Sequence, residues 1–250
     1  MATAGPPKTV PIRREITRRI GSRLPESAGR LRRIWHYHGL SIVLLALFIV
    51  TMIGQTWSGW YTYNVDQRAH GESPVSLTEY LGTGHFGEAT FENWESEFLQ
   101  MAFYVLLTVW LFQIGSSESK RPDVLEIVDL DPRDSPNKDK APWPVRKGGL
   151  VLVLYEYSLS IAFAVLFLTS FTLHAVYGVH EFNEERMAHG QPAATVMEYA
   201  TSSRFWFESF QNWQSEFLSL AGMVTFSIFL RQRGSPESKP VDAPTWETRD

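Results

Sequence analysis

Four uncharged apolar runs, arranged as two equal pairs, constrain this chain more than any other feature. Residues 42–60, 98–115, 159–180 and 217–230 contain no Asp, Glu, Lys or Arg. Crossing the hydrocarbon core of a bilayer takes roughly 20 residues of helix. The first and third runs meet that length and the second falls slightly short. The fourth, taken alone, would suit a buried helix of a soluble protein. Its pairing argues otherwise. FENWESEFL at 91–99 returns as FQNWQSEFL at 210–218, and the tryptophans Trp94 and Trp213 lie 119 residues apart. From Leu40 to Lys120 the first half aligns with the second without a gap, and more than a third of the positions are identical. The pattern reads as duplication of a two-span unit.

The expected fold is therefore all-α and integral to a membrane. It has four transmembrane helices from two tandem parallel repeats, with amphipathic helices in the outward loops. Residues 1–37 form a basic cytoplasmic segment. Within it Ile12, Ile16 and Ile20 are spaced four apart among arginines, so 10–24 can form an amphipathic helix on an anionic membrane surface. An Arg-rich, acid-poor start also has the character of an organelle transit peptide. Repeat 1 covers 38–121, with spans at about 40–60 and 98–114. A cytoplasmic linker follows at 122–149. Repeat 2 covers 150–240, with spans at about 157–178 and 214–231, and 241–250 is a tail. A turn at Gly82-Thr83-Gly84 leads to a helix expected to start near Thr90. Lys and Arg crowd the N-terminal segment, linker and tail but are sparse in the two loops. The positive-inside rule then places both termini in the cytoplasm and both loops outside.

Composition excludes several classes. There is no cysteine, so disulfides and thiolate chemistry are absent. A net charge of −4, with no basic stripe interleaved with aromatics, argues against a nucleic-acid partner. No phosphate-cradling loop, nucleophile elbow or dinucleotide fingerprint occurs. No catalytic residue, cofactor or metal is assigned, and an enzyme is disfavoured.

The motif itself supplies the first candidates. On a helix Phe91, Trp94, Phe98 and Met101 would form one apolar face. Between the halves Glu92 becomes Gln211 and Glu95 becomes Gln214, whereas Glu97 is kept as Glu216. Glu97 and Glu216 are thus the candidate functional carboxylates, able to bind a cation or relay a proton at the mouth of the membrane. The alternative is that each solvates or caps the end of its span. Asn93, Asn212, Trp94 and Trp213 are expected as interfacial anchors, the motif acting as a hinge between an outer cap helix and its span. His70 and His189, each before a Gly, could join Glu79 and Glu198, and Glu97 and Glu216, as metal ligands. They equally suit the C-terminal end of a helix. His174, equivalent to Gln55, is the candidate inside a span. No acidic or basic residue lies mid-span, which lowers the pump and ion-coupled transporter classes.

The motifs AHG, SLTEYL, FENWESEFLQM and GSSESK resemble an uncharacterised bacterial membrane family, one defined only as a domain of unknown function. The resemblance runs from Leu40 to the tail and implies a bacterial plasma-membrane location, with no mechanism to carry over. The leading expectation is a non-enzymatic accessory or structural subunit of a membrane complex. Its partners would be the lipid bilayer and either another membrane protein or further copies of itself. The alternative is a small-solute or ion pathway between the repeats. A second alternative is a membrane enzyme or metal protein with its site in the outward loops.

Overall fold

The computed structural model describes residues 29–136 and 138–248. The amphipathic helix expected at 10–24, and any targeting signal there, lie outside the described residues. Two compact units divide the chain, Met1–Ser58 and Gly59–Asp250. The described residues form helices and turns, with no strand among them.

The long helix α1, Arg30–Ala69, begins in the first unit and ends in the second. None of its most apolar stretch is buried, and Leu44, Leu45, Ile49, Val50 and Ile53 are exposed. A soluble core helix would hide such side chains; here they call for a lipid or protein cover.

The second unit holds α2 (Leu77–Tyr80), α3 (Gly84–Trp110), α4 (Trp143–Lys147), α5 (Gly149–Glu156), α6 (Ser158–Ala188), α7 (Val196–Ala200) and α8 (Ser203–Phe229). Short 3-10 turns occupy part of the linker. By length and composition α1 and α6 can each cross a membrane, and little of α6's apolar stretch is buried. The helix α3 packs most extensively on α6 and next on α8.

Two expectations about α3 are corrected. It starts at Gly84, not near Thr90, because Thr83 is its N-cap and accepts the Phe86 N–H at 3.3 Å. The Gly82-Thr83-Gly84 turn is thus the cap itself. And FENWESEFL is no hinge: it lies within one continuous helix, as does its counterpart within α8. The helices also end sooner than the expected spans, at Trp110 and Phe229.

The buried face of α3 also differs from the expected aromatic one. It carries Gly84, Gly87, Glu88, Glu95, Leu99 and Ala102, while Phe91, Trp94, Phe98 and Met101 are only half-buried. Carboxylates in an apolar setting must face their partners, whereas aromatic rings tolerate a half-exposed position. Gly84 and Gly87 let α3 approach α6: a Cβ on Gly84 would stand 2.6 Å from the Glu181 amide nitrogen. One on Gly87 would stand 2.1 Å from the Tyr177 ring.

Several local devices recur at a spacing of 119. The Asn64 amide bonds both polar groups of the Val75 backbone, at 3.0 and 2.6 Å, and the Asn183 amide does the same to Ala194, at 2.9 and 2.7 Å. Each tie folds the chain back after a long helix and orients the following capping box, Ser76 with Glu79 or Thr195 with Glu198. At the other end GSSESK and GSPESK turn on Gly115 and Gly234, both at positive φ (88° and 86°), a conformation glycine adopts without penalty. The first turn bonds the second through Ser117 to the Glu237 carbonyl (2.8 Å) and bonds α8 through Ser116–Ser227 (2.8 Å). The buried Lys239 ammonium donates to the carbonyls of Pro244, Thr245 and Glu247.

Candidate functional site

On α3, Glu88, Glu92 and Glu95 lie at i, i+4 and i+7, one side of the helix. On α8, Arg204, Glu208 and Asn212 repeat every fourth residue. Between them α6 presents His174 and α7 presents Tyr199, both fully buried.

Glu95 is also fully buried, and both of its oxygens are used. Trp213 Nε1 donates to one at 3.1 Å, and His174 Nδ1 lies 3.0 Å from the other. In this pairing the carboxylate oxygen is the acceptor and Nδ1 the donor. That choice turns Nε2 away from Glu95. Nε2 is buried without a hydrogen-bond partner, its nearest carboxylate being Glu208 at 3.6 Å.

Tyr199 Oη bridges the remaining carboxyls. It stands 2.6 Å from Glu208 Oε2 and 2.9 Å from Glu88 Oε1. A phenol has one hydrogen to give. When Tyr199 donates to Glu208, Glu88 makes a favourable contact only by carrying a proton of its own. Burial, then the Glu208 charge, push the Glu88 carboxyl up to about 7, against the hydrogen bond to Tyr199. Burial would also raise Glu208, but His174, Tyr199 and Arg204 outweigh it and hold Glu208 below the usual carboxylate range. Arg204 Nε donates to Glu208 at 2.8 Å, and its Nη1 pairs with Glu185. Asn212 donates to Glu92, whose carboxyl is raised chiefly by burial. The His174 ring packs on buried Phe205, centroids 4.6 Å apart, closing the apolar side.

Glu88, His174 and Glu208 each offer a ligand atom, and these atoms lie within 4.8 Å of one another. Glu88, Glu92, Glu95 and Glu208 thus lie around the imidazole, and Glu208 and Glu185 pair with the guanidinium. Such a group can hold a proton or a metal cation; it contains no activated nucleophile.

The sequence model of a family described as a domain of unknown function, DUF6766, matches residues 31–250, which takes in every element of this cluster. The chain belongs to the DUF6766 family. No match is found among curated proteins or among solved structures.

Of the residues singled out in this DUF6766 chain by sequence, the structure brings His174, Trp213 and Asn212 to the cluster. The last two, expected as interfacial anchors, each donate to a carboxylate. Glu97 is exposed and Glu216 half-buried, and neither side chain reaches the cluster. Asn93 bonds the Ala89 carbonyl of its own helix at 2.7 Å, and Trp94 packs edge-on against Phe91. His70 and His189 close helices, each with Nδ1 2.8 Å from the carbonyl four residues back, and each precedes a glycine at positive φ. Glu79 and Glu198 are spent in capping boxes. Sequence reasoning missed Glu88, Glu92, Glu95, Tyr199, Arg204 and Glu208. A signal existed. At the positions 119 residues away stand Phe207, Gln211 and Gln214 for the three glutamates of α3, and His85 and Ala89 for Arg204 and Glu208.

The raised Glu88 carboxyl has a measurable consequence. A buried carboxyl with a raised pKa favours folding fully below its unfolded value of 4.5, and that contribution is lost as pH climbs through about 7. The change is on the order of 3 kcal/mol. Glu208 acts oppositely: its contribution is present above 4.5 and fades as pH falls through its depressed folded value. Facing Glu88 are Glu208 and Arg204 of α8, Tyr199 of α7 and Glu181 of α6. In chelator-containing detergent buffer, the melting temperature should fall between pH 6 and 8.5, and Glu88→Gln should remove that alkaline limb. An unchanged limb in the variant would reassign it to another group.

Proposed function

We propose that this chain is a four-span membrane protein, built as two tandem two-span repeats, that holds and passes a cation at the buried carboxylate–histidine cluster. It would sit in a bacterial plasma membrane with both termini and the linker cytoplasmic and both loops outside. The spans are supported by two helices long and apolar enough to cross a bilayer, and by the uncharged second halves of α3 and α8. The repeat is supported by caps and asparagine ties that recur 119 residues apart.

One observation carries the cation reading. Glu95 and His174 are fully buried side by side, in a group with more carboxyl groups than cationic side chains, and His174 Nε2 has no hydrogen-bond partner, Glu208 standing 3.6 Å away. Excess buried negative charge is costly unless a cation neutralises it. In a membrane, an ionisable group with an ionisable partner is the usual mark of an ion path or proton relay. A second reading, an accessory subunit, is favoured by the uncovered apolar surface of α1, which another membrane protein could cover as well as lipid.

Flux into proteoliposomes tests the first reading. Under an imposed inside-negative potential, wild-type protein should acidify the lumen, or deliver a divalent ion to an internal dye, faster than protein-free vesicles. Glu97→Gln and Glu216→Gln should leave that rate within about twofold. Vesicles indistinguishable from protein-free ones for both cations would leave the accessory reading in its place.

A further inference from the structure

We propose that the cluster is a binding site for a divalent transition-metal ion of the zinc class, with Glu88, Glu208 and Nε2 of His174 as ligands and Glu95 as the residue that orients the imidazole. This rests on the cation reading above and names the cation. The reasons are geometric and chemical.

First, Nε2 of a fully buried side chain has no hydrogen-bond partner. An orphaned buried polar atom is unusual, because leaving its bond unmade costs free energy. It lies 3.6 Å from Glu208, and the three ligand atoms sit within 4.8 Å of one another. Zinc bonds of about 2.0–2.1 Å place tetrahedral ligand atoms about 3.4 Å apart. The His174–Glu208 separation is near that already, and carboxylate rotation closes the rest.

Second, the imidazole is held as metal-binding imidazoles are held. Its other nitrogen donates to a carboxylate, Glu95, which Trp213 fixes in turn. This carboxylate–histidine arrangement selects the tautomer with Nε2 free and raises its basicity.

Third, the donors and charges select the ion. One nitrogen and two carboxylates suit zinc, manganese or ferrous iron, whereas magnesium and calcium prefer oxygen alone. With the Glu88 proton displaced by the ion, Glu88, Glu92, Glu95 and Glu208 outnumber Arg204, so a dication moves the group toward neutrality. Three protein ligands also leave a coordination position open, as in sites that exchange or act on their metal rather than merely store it. Tyr199, within hydrogen-bond distance of both ligating carboxylates, would orient them around the ion.

The experiment is equilibrium metal binding to the untagged full chain. Protein in mild detergent is stripped with chelator, then dialysed against Zn²⁺, Mn²⁺ or Mg²⁺, and bound metal is measured by elemental analysis. One equivalent of Zn²⁺ or Mn²⁺ should be retained, and no Mg²⁺. His174→Gln and Glu208→Gln should each abolish retention. Glu95→Gln should weaken it by roughly 10–100-fold, the usual effect of losing such an outer partner. The double substitution His70→Ala with His189→Ala should change nothing. Because a site variant could fail by misfolding, each is accepted only if it melts cooperatively and runs at the wild-type elution volume. Wild-type protein that retains no stoichiometric metal, or His174→Gln protein that retains as much, overturns the metal assignment. Proton flux by protein that takes up neither Zn²⁺ nor Mn²⁺ would overturn this inference while leaving the cation reading intact. Bound metal without flux of either cation would do the reverse.

Discussion

His174→Leu should destabilise the protein by about 3–5 kcal/mol, the usual cost of leaving a buried charge without its partner. The cost lies in what remains. Glu95 is fully shielded from water and would keep only the Trp213 donor at 3.1 Å. A carboxylate stripped of one of two donors in such a site must be protonated or draw in water. Replacing both members should be far milder. With Glu95→Gln and His174→Gln together no charge is left stranded, and the new amide oxygen on α3 can still accept from Trp213. The double variant should melt within about 1 kcal/mol of wild type, since neutral replacements of buried pairs are often tolerated. Glutamine is also what the chain carries at the matching positions, Gln214 and Gln55. Thermal unfolding in detergent measures both. A single variant as stable as wild type would mean the pair contributes nothing to holding α3 against α6.

The second large effect is expected at Gly87. A Cβ there would lie 2.1, 2.2 and 2.7 Å from Cδ1, Cγ and Cβ of Tyr177. Because the clash reaches the root of the side chain, no rotamer of Tyr177 removes it, and α3 must move off α6. Overpacking of this kind costs about 1–3 kcal/mol or more, which exceeds the helix propensity gained by replacing glycine. The same displacement would pull Glu95 from His174, so Gly87→Ala should lose cation binding along with stability. Gly222→Ala is the control: its Cβ would meet nothing closer than 3.6 Å, and the variant should be neutral or slightly stabilised. Equal melting temperatures for the two would argue against close α3–α6 contact.

Much of the framework can be read from the chain. The uncharged runs mark the long helices, and Ser76 with Glu79 marks a capping box as plainly in sequence as in space. The bounds were less legible. Thr83 reads as part of a turn, and only the packing of Gly84 against α6 makes it a helix cap. The site was least legible, and for a definite reason. Comparing the halves draws attention to what they share, Glu97 with Glu216 and His70 with His189. Those residues solvate or terminate helices, and such tasks arise in both halves. The charges of the cluster occur once. Glu95 faces His174 in one register, while the matching positions hold glutamine in both. Where two similar halves diverge from ionisable to neutral, one copy has kept a chemistry that the fold does not require. That contrast was visible at Glu92 and Glu95, but without the helix contacts it could not be joined to His174, 79 residues away.

Proteoliposome flux by the Glu95→Gln, His174→Gln double variant, shown by melting to be folded, tests the central claim most directly. The account predicts a rate equal to that of protein-free vesicles while wild type conducts. A folded double variant that carries protons or divalent metal at the wild-type rate would contradict it.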